Sequence, residues 1–294
     1  MIAASLVWAL SFGIIKTSLA GLEPSFVGWA RLALALLVFA PLIRARGLGW
    51  RLVLALLAIG AVEYGLMYSF YLAAFSRLDA HHVALFTILT PLYVTLWADL
   101  RGRRVDWFAL AMAAVAVAGA AVIRYEGREV RALMIGFGLV QAANLCFAIG
   151  QVEYRRLRRE GVLPAGSADK HLQGLLFTGG LAVATAHTSA VSGWGRSIAA
   201  IDREAAAALL FLGVVASGLG FFAWSRGSAM VSAGALATLN NLKIPLAVAA
   251  SLWVFGESGD PRRLWIGGGL MVAATAAAEL RATRARASRP RERL

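Results

Sequence analysis

Apolar residues in this chain come in runs of about 20, each closed by arginine, proline, glycine or an acidic residue. A helix of that length crosses a hydrocarbon core of roughly 30 Å. Ten such runs can be read, at about 2–20, 25–43, 52–76, 79–99, 105–123, 132–154, 171–191, 205–225, 231–255 and 264–280. Inside lipid every backbone amide and carbonyl must find its partner within the protein, which leaves helices and closed barrels. The runs are far longer than barrel strands and do not alternate strictly, so the expected class is an all-α polytopic membrane protein with ten transmembrane helices. Composition agrees: the chain is 60% hydrophobic and 15% charged, whereas soluble domains carry about a quarter charged residues.

The net charge of +13 would suit a nucleic-acid partner if it lay on one face of a soluble fold. Here the arginines lie between apolar runs, the pattern of cytoplasmic loops, and no nucleic acid is expected. Threading the ten runs with the N-terminus inside puts 18 basic residues on the cytoplasmic side and 8 on the other. Both termini are therefore expected in the cytoplasm and the protein in the inner (plasma) membrane. No basic stretch precedes the first run, so that run is expected to act as its own targeting signal. The lone Cys146 excludes an intrachain disulfide and a thiolate metal cluster.

Sliding the chain by 154 residues lays Leu85–Gly102 on Leu239–Gly256 without a gap. Leu85, Pro91, Leu92, Val94 and Gly102 then meet Leu239, Pro245, Leu246, Val248 and Gly256, and Asp106 meets Asp260. Two halves of five spans insert in opposite directions because five is odd. The expected organisation is thus two inverted five-helix repeats, 1–124 and 125–280, with a basic cytoplasmic loop 155–170 inside the second. Residues 281–294 form a basic cytoplasmic tail. Inverted repeats with interrupted helices in matching positions are an architecture of secondary transporters, with the site near the bilayer midplane.

Several stretches resemble the EamA-type branch of the drug/metabolite transporter superfamily. They are LVWALSFGIIK (Leu6–Lys16), FVGWARLALALL (Phe26–Leu37), ALFTILTPLYVTL (Ala84–Leu96), ALATLNNLKIPLAVAASLWVFGES (Ala235–Ser258) and WIGGGLMVAATAA (Trp265–Ala277). The proline-centred helix ending in Phe255-Gly256-Glu257 is the most diagnostic of these; in the first half the matching Gly-Glu reads Gly102-Arg103. The resemblance spans essentially the whole chain. It implies a metabolite carrier, often an exporter of amino acids or related compounds.

Ionisable residues within membrane spans usually face a cavity or a partner, because a bare charge in hydrocarbon is costly. Lys16 and Arg31 lie within reach of a surface, and snorkelling is the favoured reading for both. Lys243 is about 12 residues into its span, roughly 18 Å, and Glu63 about 11 residues in from the same side, roughly 16 Å. The two could neutralise each other, or line the route and hold a zwitterion between them. Leu236, Asn240, Lys243 and Ala247 share one helical face, and the 154 shift pairs them with His82, Phe86, Leu89 and Tyr93. Tyr64, Tyr68, Tyr71 and Phe75 form another face. Gln141, Asn144, Trp8 and Ser11 add further polar or aromatic groups at depth.

The candidate substrate-binding residues are therefore Lys243, Asn240, Glu63, Tyr64, Tyr68, Phe86, Tyr93, Asn144 and Trp8. Lys243 with Asn240 would take a carboxylate and Glu63 an amine, while Phe86, Tyr68 and Trp8 hold the apolar part. Pro91 and Pro245 are candidate hinges. His82 is a possible proton relay, and with His81 it is read as an interfacial polar edge rather than a metal site, no acidic ligand accompanying the pair. A phosphate-binding glycine–lysine loop, a nucleophile elbow and a zinc-binding helix are all missing, so no enzyme activity, metal or cofactor is expected. Gly218-Leu-Gly220-Phe-Phe-Ala223 fits a dinucleotide fingerprint formally but sits in an apolar run with no strand before it. The expected function is secondary transport by alternating access, most readily export of amino acids, aromatic ones included, or of related carboxylates and amines. The partners are then a small-molecule substrate and the lipid bilayer, a monomer sufficing. The alternatives are a sugar-like or cationic-drug substrate, or an intramembrane enzyme or lipid-handling protein.

Overall fold

The computed structural model describes residues 2–45, 47–102, 130–163, 169–191, 194–228, 233–257 and 261–287, with seven positions between 107 and 118. Most of the expected fifth span and the second half of the arginine tail, 288–294, lie outside the described residues. Among those residues all regular structure is helical. The long helices are α1 (Ile2–Ser18), α2 (Pro24–Leu42), α3 (Trp50–Ala74), α4 (Ala80–Arg101), α5 (Val130–Arg159), α6 (Asp169–Val191), α7 (Arg203–Gly227), α8 (Ala233–Trp253) and α9 (Pro261–Ala287). Six of them, α2 to α7, are long and apolar enough to cross a membrane; α1 and Ile266–Ala278 of α9 are shorter apolar helices. The chain is a multi-pass membrane protein.

α1 to α4 reverse direction in turn and α5 runs parallel to α4, so one end of the bundle holds the start of α1 and the meeting of α4 and α5 at Arg101 and Glu153. At the opposite end Thr188 Oγ1 donates to Ser25 O at 3.0 Å, and Glu257 reaches the start of α4. We call these the amino-terminal face and the far face. Helix neighbours come in matched sets. α1 packs on α8 as α5 packs on α4; α3 packs on α6 as α7 packs on α2; and α4 meets α8 directly.

Three of the spanning helices are locally irregular. α3 widens to a π-helical turn at Ala61–Leu66, and α7 does the same at Phe211–Leu219. A shift of 154 residues lays the first of these over the second. α4 tightens at Thr87–Leu89, just before Pro91. Proline has no N–H, so the Thr87 carbonyl loses its normal helical donor. The Thr90 hydroxyl takes that carbonyl at 2.7 Å. One residue earlier, Phe86 O accepts Asn144 Nδ2 at 3.0 Å and Gln141 Nε2 at 3.3 Å, both from α5. Pro245, by contrast, sits inside an unbroken α8.

α3 and α6 touch backbone to backbone. A Cβ on Gly60 would lie 1.8 Å from Leu176 O, and one on Gly179 would lie 1.9 Å from Leu57 O. Small residues are what allow such an approach, and packing takes the place of hydrophobic driving force between helices in lipid. Gly60→Ala and Gly179→Ala should each lower apparent stability in detergent by about 1–3 kcal/mol, since the clash outweighs alanine's helix propensity. Gly138→Ala in α5, where a Cβ meets nothing within 4 Å, should leave the melting temperature level or raise it. Fluorescence-detected thermal unfolding of the three variants checks this contrast.

Candidate substrate site

Side chains from α1, α2, α3, α4, α5, α7 and α8 converge on one cavity in the middle of the bundle. Its volume is about 80 Å³, below the few hundred Å³ of typical ligand pockets, so the helices are held close in this conformation. Two cations face it, Arg31 from α2 and Lys243 from α8. Arg31 is 3% exposed and Lys243 is 8% exposed.

Neutral groups hold both charges. Arg31 Nε donates to Ser217 Oγ at 3.1 Å, and its guanidinium carbon stands 4.5 Å from the centre of the Tyr68 ring. Ser217 is itself fixed by the π turn, where its hydroxyl donates to Leu212 O at 2.7 Å. The Tyr68 hydroxyl then donates to Ser217 Oγ at 2.7 Å. Arg31 Nη1 is buried and makes no protein hydrogen bond among the described residues. Lys243 Nζ donates to Asn240 Oδ1 at 3.2 Å and lies 5.1 Å from the Trp8 ring centre. Trp8 is anchored by its indole N–H on Ala216 O at 2.8 Å. Among the described residues no carboxylate stands within 4.0 Å of either cation.

The remaining wall is of two kinds. Asn144, Thr87, Thr90 and Ser11 supply hydrogen-bonding groups, with Thr90 Oγ1 on Asn144 Oδ1 at 3.0 Å. Phe12, Met67, Tyr71, Phe147 and Phe221 supply apolar and aromatic surface. A narrow cavity at the centre of a multi-pass bundle, charged and, among the described residues lining it, without a nucleophile–base pair, suits binding and release of a solute.

Residues 1–125 match the EamA-like transporter family. A protein of Pseudomonas aeruginosa named "Probable biotin transporter" is 39% identical over 270 residues, which cover 92% of this chain and 93% of that protein. The chain belongs to the EamA-like transporter family. It is a drug/metabolite-type transporter and not an enzyme. The "Biotin transporter" of Salmonella typhimurium is 35% identical over 259 residues, 87% of this chain and 84% of the relative. That of Escherichia coli K12 is 34% identical over 265 residues, with the same coverage of 87% and 84%. A crystal structure at 21% identity superposes with a TM-score of 0.63 over 97% of both chains, which shows a shared fold.

Of the residues expected at a transporter's binding site, Trp8, Tyr68, Asn144 and Lys243 line the cavity. Asn240 stands behind Lys243 and orients it. Glu63 does not line the cavity. It is 2% exposed, accepts Gln151 Nε2 at 3.4 Å, and is backed by Gly150, where a Cβ would lie 2.3 Å from Glu63 Cβ. Tyr64 turns toward α6, accepting Gln173 Nε2 at 3.0 Å and stacking on Phe177 with centroids 5.1 Å apart. Both belong to the π turn of α3, whose extra residue rotates them off the face that regular 3.6-residue spacing assigns. Phe86 packs edge-on against Phe137, and Tyr93 is half-buried; neither lines the cavity.

Snorkelling is corrected for Arg31, while Lys16 does reach outward to the far face. Arg31 faces the cavity, and Lys16 donates to Phe75 O at 2.9 Å and Leu78 O at 2.8 Å, covering the open carbonyls at the end of α3. Sequence reasoning also passed over Phe147, Phe221, Thr87, Thr90 and Ser217. The hydroxyls clustered before Pro91 were the available signal for Thr87 and Thr90.

The reading of the histidine pair as an edge without acidic company is also corrected. His81 and His82 are buried, with Asp79 beside them and Glu257 on His81 Nδ1 at 2.7 Å. Lys16 Nζ is 3.7 Å from Asp79. Glu257 caps α4 from another helix, accepting the Ala80 N–H at 2.7 Å and the His81 N–H at 3.1 Å, with Ser251 donating as well. Gly256 makes the turn at φ +67°, and Phe255 lies on Gly13, whose Cβ would meet its ring at 2.1 Å. The Phe-Gly-Glu motif is thus a clamp joining α8 to α1 and α4.

Burial pushes the Glu257 carboxyl up, but the donors from His81, Ser251 and Ala80 outweigh it and bring its pKa from the usual 4.5 to about 2. A lowered folded-state value stabilises above the ordinary one and is lost as pH falls through about 2. Glu257 should therefore add no pH dependence to thermal stability between about pH 5 and 8. Glu257→Ala should destabilise by about 1.5–3 kcal/mol across that range, as expected for hydrogen bonds to a charged group. Melting curves of wild type and variant at several pH values test both statements.

Proposed function

We propose that this transporter carries biotin, gripping its carboxylate between Arg31 and Lys243. The observation that carries the reading is two buried cations facing one cavity with, among the described residues, no acidic side chain beside either. Removing charges from water costs several kcal/mol each unless an opposite charge compensates, and here the substrate supplies it. Biotin's fused rings would lie against Trp8, Tyr68, Phe147 and Phe221, and its ureido group would use Asn144, Thr87 and Thr90. The names of the relatives support this choice of carboxylate.

Amino acids share the carboxylate but also bring an ammonium group, which needs a partner of its own. Glu63, the acid expected to provide one, points into the α3–α5 interface. A substrate with one carboxylate and neutral polar groups fits the lining better than a zwitterion, in either direction of transport.

The reading extends to the architecture. Matched helix contacts and the overlapping π turns support two inverted five-helix repeats, 1–124 and 125–280, followed by a cytoplasmic tail, ten spans in all. The arginine asymmetry supports an inner-membrane protein with both termini in the cytoplasm. Alternating access would then rock the halves about α4 and α8, with Pro91 and Pro245 loosening them. His82, held between Asp79 and His81 at the far face, would belong to the closure there.

Radiolabelled biotin uptake into proteoliposomes tests the assignment. Arg31→Gln and Lys243→Gln should each weaken apparent affinity by at least about tenfold, the loss expected when one member of a buried charge pair is truncated. Unlabelled biotin should compete, whereas biotin methyl ester and leucine should not. Equal competition by the ester, or wild-type uptake in both correctly folded variants, would overturn the carboxylate site.

A further inference from the structure

We infer that the carrier is an exchanger, its return step made with a second carboxylate aboard. This rests on the carboxylate reading above. Arg31 and Lys243 are 3% and 8% exposed, and their side-chain partners are neutral: Ser217, Tyr68, Asn240 and Trp8. Aromatic faces and single hydrogen bonds offset only part of the cost of desolvating a cation. In a conformation open to either side, water does the rest. Between those conformations water is excluded, and the two positive charges on one cavity face each other across a low-dielectric interior. A bound carboxylate cancels one charge and supplies acceptors for the buried Arg31 Nη1, which makes no protein hydrogen bond among the described residues.

The substitute that could act within the chain is Glu63, which the sequence sets at the same depth. It is held on the other side of α3 by Gln151 and Gly150, and moving it to the cavity would undo the α3–α5 contact. The loaded form therefore crosses more readily than the empty one. Transport then couples the entry of one carboxylate to the exit of another.

The experiment compares initial rates of labelled biotin uptake into proteoliposomes holding unlabelled biotin or chloride buffer alone, with valinomycin and potassium clamping the membrane potential. Internal biotin should accelerate uptake by at least about tenfold, a barrier difference of one decade between loaded and empty return. Glu63→Gln, which leaves both cavity cations in place, should keep that ratio. Equal rates in the two loadings of the wild type would overturn exchange while leaving the binding site intact. A ratio that rises several-fold in Glu63→Gln would also overturn the inference, since it would make Glu63 the return-step counter-ion. No uptake under either loading, with no biotin-induced thermal shift, would instead remove the carboxylate reading itself.

Discussion

A positive charge kept at the centre of a lipid-spanning bundle has to be compensated, and much of the local geometry follows from how that is done. Arg31 leans on the Tyr68 ring and on Ser217, and Ser217 is available because α7 widens to a π turn around Leu212. Lys243 leans on Asn240 and Trp8, and Trp8 is held by Ala216, in the same π turn. One irregular stretch of α7 thus positions the partners of both cations. None of these partners carries a negative charge, so the compensation is left incomplete, and an anionic solute can finish it.

The helix irregularities and the buried polar residues form a single system. In hydrocarbon a carbonyl released from its helical bond must be taken by another donor. At the break in α4 the donors are Thr90, Asn144 and Gln141. Asn144 and Thr90 also face the cavity, so two groups that line it are ones that repair the backbone. On the proposed reading, a solute drawing hydrogen bonds from Asn144 would compete with Phe86 O, and occupancy would be tied to the shape of α4.

How much of this can be read in advance depends on which physical rule is in play. Apolar run length reports membrane crossing directly, and depth along a run reports where Lys243 lies, so the multi-pass class and one cavity cation were legible. Facing is a different matter. It assumes 3.6 residues per turn, and the π turn at Ala61–Leu66 breaks that assumption within the stretch containing Glu63 and Tyr64. Arg31 was misread because its depth allowed a route to the surface, and only its packing on Tyr68 and Ser217 shows that it takes the other course. Asp79 stands two and three residues ahead of His81 and His82 and was open to sequence reading, whereas Glu257 arrives from 176 residues away in the chain. Long-range closure of that second kind leaves no local pattern to find.

The two ends of α4 are secured differently from its middle. At the far face Glu257 caps its first turn, beside the Lys16–Asp79 pair. At the amino-terminal face Arg101 meets Glu153 at 2.8 Å, and Trp97 donates to the same carboxylate at 3.0 Å. Ion pairs that water can reach cost little to break, on the order of 1 kcal/mol or less. Backbone contacts such as Gly60 on Leu176 and Gly179 on Leu57 are close-packed and resist sliding. The ends of α4 thus rest on contacts near water, the far one strengthened by the charged hydrogen bonds of Glu257, while α3 and α6 are locked together by backbone packing. On the proposed alternating cycle, opening would draw on the first kind of contact and leave the second intact, so α4 would be the helix that joins the gates to the central cations.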